Sequence, residues 1–215
     1  MAQLSKIIEG VYRISSTAGP GGFSFNQFLI KDEKSTLVHT GSVALFNEVS
    51  TRLGEVLDIK QLSYIFISHF ESDECGALCN FLEVNPSIIP VCSAITARQL
   101  QGFGLYGSPQ VVKAGDELAL GKRHLQFISY PSEVHLGEGL LAYETRDKIL
   151  FSSDLFISRA GGEAPIKKTN KAEISKIEAR SIPSDEGRSK CQAALEQLDI
   201  QLVAVGHGPV LDLRP

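Results

Sequence analysis

Tyr64-Ile65-Phe66-Ile67-Ser68-His69-Phe70-Glu71-Ser72-Asp73-Glu74 is the stretch on which the fold turns. YIFIS is a short apolar run of the kind that forms a strand buried on both faces, and the residues that follow it are metal-ligand types. In an extended exit from a strand, residues two apart fall on one side, so His69, Glu71 and Asp73 can converge on one point. With Glu74 there are four potential donors within six residues. The competing reading is a polar loop whose acids cap the next helix and favour its positive end.

The pattern recurs along the chain. Asp154 follows the strand KILFSS, His207 follows LVAV, and His135 sits in a short loop after a strand ending near Tyr130. Ligand-type residues at the exits of several buried strands point to one site at one end of the sheets, where α/β architectures place their chemistry. His124 reads as a strand residue and His39 as a surface or satisfied core residue.

Strands are expected at Lys6 to Ile14, Phe25 to Ile30, Thr36 to Val38, Tyr64 to Ile67, Ile88 to Val91, Gln110 to Val112, His124 to Ser129, Leu140 to Tyr143, Ile149 to Phe151 and Leu202 to Val205. Helical spacing or start signals predict helices at Val43 to Leu57, Glu74 to Leu82, Ala94 to Leu100 and Asp185 to Leu198. Turns fall at Lys31 to Lys34 and at Arg146-Asp147. Two sheets flanked by helices result, with neither repeat nor linker, so residues 1–215 are expected to form a single domain.

The 215 residues are 43% hydrophobic and 21% charged, with 21 basic against 25 acidic side chains and a net charge of −4. Such a chain has no basic field for nucleic acid or an anionic membrane. It shows no signal-peptide core and no apolar run long enough to span a bilayer, which predicts a cytoplasmic protein. Cys75, Cys79, Cys92 and Cys191 form no CxxC pair and read as buried thiols; the alternative is that Cys75 and Cys79 share a helix face, with metal charge lowering the Cys75 pKa. Ser158 to Lys190 carries eight Lys or Arg against five Asp or Glu, a solvated face or, alternatively, a docking surface for an acidic partner. Gly19-Pro20-Gly21-Gly22 lacks the Lys-Ser/Thr of a P-loop and reads as a flexible loop, a candidate for the mouth of the site.

HFESDE, together with SFNQFLIKDEKSTLVHT, AGDELALGKRHLQFISYP, KILFSSDLF and AVGHGPVL, resembles the metallo-β-lactamase superfamily and, within it, the diiron core of flavodiiron proteins. The hydrolases of that superfamily carry HxHxDH and the flavodiiron branch HxExDH. The resemblance covers nearly the whole chain and implies an α/β fold, the αββα sandwich of the metallo-β-lactamase type. It implies two metals, one held by His69, Glu71 and His135 and the other by Asp73 and His207, with Asp154 bridging. Asp154 and Glu74 are the candidates for catalytic work. Three departures stand out: His39 occupies a position that is usually Asp, Glu74 replaces the closing His, and the chain ends eight residues after His207. The last predicts no flavin in this chain.

Zinc hydrolase sites lean on nitrogen ligands and keep a position open for water, whereas here carboxylates match or outnumber imidazoles. Such a set suits two iron ions, with zinc or manganese as substitutes. The expected function is a non-haem diiron protein that binds or reduces dioxygen or nitric oxide. The expected partners are the small gas, a separate electron donor of rubredoxin or flavodoxin type, and a second copy of the chain in a homodimer. A dinuclear zinc hydrolase and a gas sensor without efficient turnover are the alternatives. Phe70, Phe103, Tyr106 and Phe156 are aromatic candidates for a gas pocket, core packing being the ordinary role for such residues.

Overall fold

Gly10 divides the first apolar stretch. Its φ of +77° suits a residue without a Cβ, and the Arg123 guanidinium and the Lys31 carbonyl lie 3.1 Å from where a Cβ would sit. The single strand expected over Lys6 to Ile14 is therefore a hairpin of β1 (Gln3–Ile8) and β2 (Val11–Ala18). The computed structural model describes residues 2–18, 22–104, 108–131, 136–137, 139–158 and 164–215.

β1 and β2 continue into β3 (Phe23–Ile30) and β4 (Thr36–Val38), all antiparallel, and then into β5 (Tyr64–Phe66), β6 (Ile89–Cys92) and β7 (Gln110–Val111), all parallel. The second sheet has the order β12-β14-β13-β11-β10-β9-β8. Its strands are β8 (Glu117–Ala119), β9 (His124–Tyr130), β10 (Gly139–Glu144), β11 (Ile149–Ser153), β12 (Ile166–Lys168), β13 (Leu202–Val205) and β14 (Val210–Asp212). The short β8, β12 and β14 carry little apolar alternation and went unread in the sequence.

Alternation within the strands builds three layers of core. Phe28, Val38 and Phe66 of the first sheet meet Phe127, Phe151 and Ala204 of the second, with ring centroids 5.7 Å apart for Phe28–Phe151 and 5.3 Å for Phe66–Phe127. Leu29, Leu37 and Ile65 point the other way, under α1 (Phe46–Gly54), α3 (Leu78–Val84) and α4 (Ala94–Gly102). Leu141, Leu150 and Val203 lie under α5 (Asp185–Glu196). The result is helices, sheet, sheet, helices. No helix among the described residues is long and apolar enough to cross a membrane.

The helix expected from Glu74 is broken. α2 (Ser72–Cys75) is one turn, and Ala77 N–H then donates to Gly41 O at 2.9 Å, outside any helix. β4, β5, β9, β11 and β13 all run toward the same end of the sandwich, which collects the segments that follow them.

Candidate metal centre

Beyond β5, Ile67 N–H still bonds Val91 O at 2.9 Å, so the chain reaches His69 in an extended track. Glu71 remains extended (φ −143°, ψ 163°) before α2 begins. Thr40 N–H donates to Glu74 O at 2.9 Å and Gly41 N–H to Asp73 O at 3.0 Å, tying α2 to the segment after β4. This tether presents Asp73 and Glu74 inward rather than as caps exposed to solvent.

The geometry brings two sets of donors together. His69 Nε2 lies 3.2 Å from Glu71 Oε2, 3.5 Å from Glu74 Oε2 and 3.5 Å from Asp154 Oδ2. His207 Nε2 lies 3.3 Å from Asp73 Oδ2 and 3.3 Å from Asp154 Oδ1. Donor atoms of His69, Glu71 and Asp154 fall within 4.8 Å of one another, as do those of Asp73, Glu74 and His207. Asp154 thus turns one oxygen toward each imidazole. His135 lies outside the described residues, as do Tyr106 and Gly19 to Gly21.

The two imidazoles are oriented by different means. His69 Nδ1 is 3.0 Å from Ser68 Oγ and 3.2 Å from Ser153 Oγ, and Ser68 Oγ is also 2.8 Å from both Ser153 Oγ and His39 Nε2. His207 Nδ1–H donates to Ser24 O at 2.7 Å, while the ring stacks on Phe23 at 4.3 Å and meets the edge of Phe25 at 5.2 Å. In each case a contact at the second nitrogen holds the ring so that Nε2 faces the carboxylates, and at His207 the Ser24 carbonyl, an acceptor only, also fixes the proton on Nδ1.

The loop carrying His207 is stitched to the opposite sheet. Asn26 Nδ2 donates to Val205 O and Gly208 O, both at 2.8 Å, and its own N–H donates to Gly206 O at 2.9 Å. Arg13, buried, donates to Asn26 Oδ1 at 2.9 Å and to Gly208 O at 2.9 Å; burial lowers its pKa to about 10, which leaves it charged at neutral pH. A Cβ on Gly206 would stand 3.0 Å from Ser153 O, so the Asp154 and His207 segments approach as closely as glycine allows.

Burial, then the Asp73 and Asp154 carboxylates, raise the Glu74 pKa well above the ordinary range. Burial pulls His207 down, but the Asp154 and Asp73 carboxylates and the Ser24 carbonyl outweigh it and the net shift is upward. Burial, together with the neighbouring His69, holds His39 down at about 3, so this imidazole is neutral. Glu74 Oε2 is buried and makes no hydrogen bond among the described residues. A buried carboxyl oxygen without a partner is costly, and a cation among these oxygen and nitrogen donors would satisfy it. The residues present therefore fit two divalent ions of the kind carboxylates and imidazoles hold.

Cys75 behaves oppositely to a reactive thiol. Burial, reinforced by Glu74, pushes it up to about 12, and it ends α2 while Cys79 sits on α3, so the two share no helix. Phe70 and Phe103 stack on each other at 5.0 Å. The aromatics that line the roughly 420 Å³ cavity over the donors are instead Phe23, Phe25 and Tyr130, with Ile157 and Arg180. Sequence reading passed over these, and over Arg13, Asn26, Ser68 and Ser153. The one signal was polar Ser24, Asn26 and Gln27 inside an otherwise apolar strand.

Residues 23–208 match the family model described as ODP family beta lactamase. The chain belongs to the ODP beta-lactamase family. Like its solved neighbours, this ODP-family chain has the metallo-β-lactamase type of fold: the flavodiiron core of Flv1 from Synechocystis sp. PCC6803 superimposes with a TM-score of 0.86 at 24% identity, over 98% of this chain and 57% of that one. Rubredoxin-oxygen oxidoreductase from Megalodesulfovibrio gigas is 29% identical over 174 residues, 72% of this chain and 41% of that protein. Anaerobic nitric oxide reductase flavorubredoxin from Salmonella arizonae is 32% identical over 140 residues, 63% of this chain and 29% of that protein. The ODP-family chain spans about a third of the length of the curated relatives it matches, 35% and 34% for the first two.

Proposed function

We propose that residues 1–215 form one metallo-β-lactamase-like domain that holds two iron ions and binds or reduces dioxygen or nitric oxide with electrons from a separate protein. The observation that carries this reading is the convergence of His69, Glu71 and Asp154 beside Asp73, Glu74 and His207. In the first half-site His135 is the proposed additional ligand, and Asp154 is the proposed bridge. The names of the two relatives, an oxygen oxidoreductase and a nitric oxide reductase, support the same chemistry.

Iron held there would supply one-electron redox chemistry and an affinity for small gases. Glu71, Asp73, Glu74 and Asp154 contribute negative charge that favours the higher-valent ions and lowers the reduction potential. Ser68, Ser153 and Ser24 keep the two imidazoles aimed, so ligand geometry is set before any ion arrives. Phe23, Phe25 and Tyr130 line the approach with apolar surface.

Two ferrous ions store two electrons, whereas reduction of dioxygen to water takes four and reduction of two nitric oxide molecules to nitrous oxide and water takes two. Sustained turnover to water therefore uses an outside donor. Lys167 and Lys168 on edge strand β12 are the proposed contact for an acidic one. Lys168 is already engaged by Asp212 at 3.5 Å, which leaves Lys167 the more telling position for charge reversal.

Protein made in iron-supplemented, zinc-poor medium should contain about two metals per chain. After anaerobic reduction it should consume dioxygen or nitric oxide in stopped-flow mixing, turn over only with an added redox protein, and leave NADH alone unoxidised. Fewer than one metal per chain ends the reading. Robust hydrolysis of a lactam, thioester or phosphodiester with two zinc ions bound, and no gas reaction with iron, replaces it with the hydrolase.

A further inference from the structure

Two of the departures from the flavodiiron pattern meet in space. His39, where an Asp is usual, has its Nδ1 3.9 Å from Oε1 of Glu74, where the closing His is usual, and both side chains are almost wholly buried. The backbones are tied beside them, since Thr40 N–H donates to Glu74 O at 2.9 Å. We propose that the two substitutions are one reciprocal exchange of an acid and an imidazole, and that His39 is the positioning residue which presents Glu74 to the second metal and His69 to the first. The proposal rests on the two-metal reading above.

Hydrogen-bond inventory gives the exchange a direction. The Ser68 hydroxyl has three neighbours, His69 Nδ1 at 3.0 Å, His39 Nε2 at 2.8 Å and Ser153 Oγ at 2.8 Å. It has one hydrogen to donate and two lone pairs. For His69 Nε2 to serve as a ligand, the proton of its ring sits on Nδ1 and is donated to Ser68 or Ser153. Ser68, accepting from His69 and from Ser153, then donates to His39 Nε2. His39 is left with its own proton on Nδ1, facing Glu74 Oε1 at 3.9 Å, an electrostatic contact longer than a hydrogen bond. Glu74 Oε2, which makes no hydrogen bond among the described residues and lies 3.5 Å from His69 Nε2, is the oxygen left for the metal.

An aspartate at 39 opposite Glu74 would set two carboxyl groups against each other and would offer no N–H in this direction. A histidine at 74 opposite His39 would replace the carboxylate by a ring with a single acceptor nitrogen, which could not face both His39 and a metal. Either change alone breaks the chain of donors, whereas both together rebuild a donor–acceptor pair with the roles exchanged. The backbone agrees that this cluster is built to aim side chains. His39 (φ 65°) and Ser153 (φ 48°) are both non-glycine residues in the left-handed region, and both contact Ser68. Strain of that kind persists where surrounding structure over-determines the conformation.

The first test is spectroscopic. In ¹⁵N-histidine-labelled, zinc-loaded protein, where His69 Nε2 is taken up by the metal, long-range ¹H–¹⁵N spectra should show His39 protonated on Nδ1 and responding to Glu74→Gln; a His39 protonated on Nε2, or indifferent to Glu74→Gln, overturns the proposal. The second is a double-mutant cycle on ferrous-iron and zinc affinity. His39→Asp and Glu74→His should each weaken one of the two metals by roughly 10- to 100-fold, and the double variant should recover most of that loss. Losses that simply add overturn the exchange. If the unaltered protein binds less than one metal, the two-metal reading fails, while the coupling of the same variants in metal-free thermal melts still decides whether His39 and Glu74 act as a pair.

Discussion

The two ends of the sandwich treat carboxylates in opposite ways. At the end formed by the β1–β2, β3–β4 and β10–β11 turns, acids are matched by cations. Arg123 bonds Asp147 at 2.6 Å, Lys148 pairs with Asp199, and Arg214 holds Asp212 with two nitrogens at 2.8 and 2.9 Å. The Lys148 and Arg214 contacts keep Asp199 and Asp212 below the usual carboxylate range. At the His69–His207 end, Asp73 faces an imidazole, and Glu74 faces imidazoles and three further carboxylates, those of Asp73, Asp154 and Glu71. One end neutralises its charge with the protein's own residues; the other gathers negative charge that a bound cation would neutralise. A buried acid such as Glu74, whose pKa is raised by burial and by the carboxylates around it, marks a site built for something else to occupy.

The largest expected effect of breaking this contrast is at Asp154, whose two oxygens face the two imidazoles. Asp154→Ala should take metal content from about two per chain to below one, measured by elemental analysis after loading with ferrous iron. Retention of both metals would show that Asp154 does not bridge. Next comes Asn26→Ala, which removes the Asn26 donor from Val205 O, leaves Gly208 O with its Arg13 contact and strands one Arg13 donor between the sheets. It should lower stability by about 1–3 kcal/mol in denaturant melts. It should also weaken the His207 half-site more than the His69 half-site. Equal weakening of both would mean that the stitch serves the fold generally.

The same contrast explains what was legible in the sequence. His69, Glu71 and Asp73 follow one strand, so local periodicity was enough to bring them to one side; the structure then divides them, His69 and Glu71 into one donor set and Asp73, with Glu74, into the other. Asp154 and His207 were found as exits of other apolar strands. Asn26 and Arg13 were not, because their partners lie 179 and 195 residues away and their chemistry is contact with backbone carbonyls, which no side-chain pattern records. Ser68 and Ser153 looked like ordinary strand-end serines for the same reason. The hairpin at Gly10 and the short strands β8, β12 and β14 were lost because tertiary pairing, not propensity, makes them strands. Cys75, read as a buried thiol, is one, and burial rather than proximity to the metal motif sets its pKa.

A smaller effect separates metal-free from loaded protein. Glu74→Gln keeps the shape of a buried side chain but removes a charge that burial and its neighbours disfavour. Metal-free Glu74→Gln should therefore melt higher than the unaltered protein by a few degrees, corresponding to about 1 kcal/mol, and the order should reverse when ferrous iron is added. A variant that is less stable in both states would place Glu74 among ordinary structural residues, like the paired acids of the opposite end.

The smallest effect tests that opposite end. Arg214 holds Asp212 at a pKa of about 2, against an ordinary value near 3.9 in an unfolded chain. A carboxylate whose folded pKa is depressed adds stability that is present in full above the unfolded value and is lost as pH falls toward the folded one. The window for Asp212 is therefore roughly pH 4 down to pH 2. Because the Arg214 side chain is 40% exposed, solvent screening limits the gain to about 1 kcal/mol or less. Asp212→Asn should lower stability modestly at pH 6, and the difference from the unaltered protein should shrink as the buffer is taken from pH 4 toward pH 2. Added salt should narrow it as well, since the pair is partly solvated. A difference that stays constant across that range would mean that Asp212 matters for its backbone hydrogen bond to Arg214 N–H at 3.1 Å rather than for its charge. The charge-matched description of that end of the sandwich would then have to rest on Asp147 and Asp199.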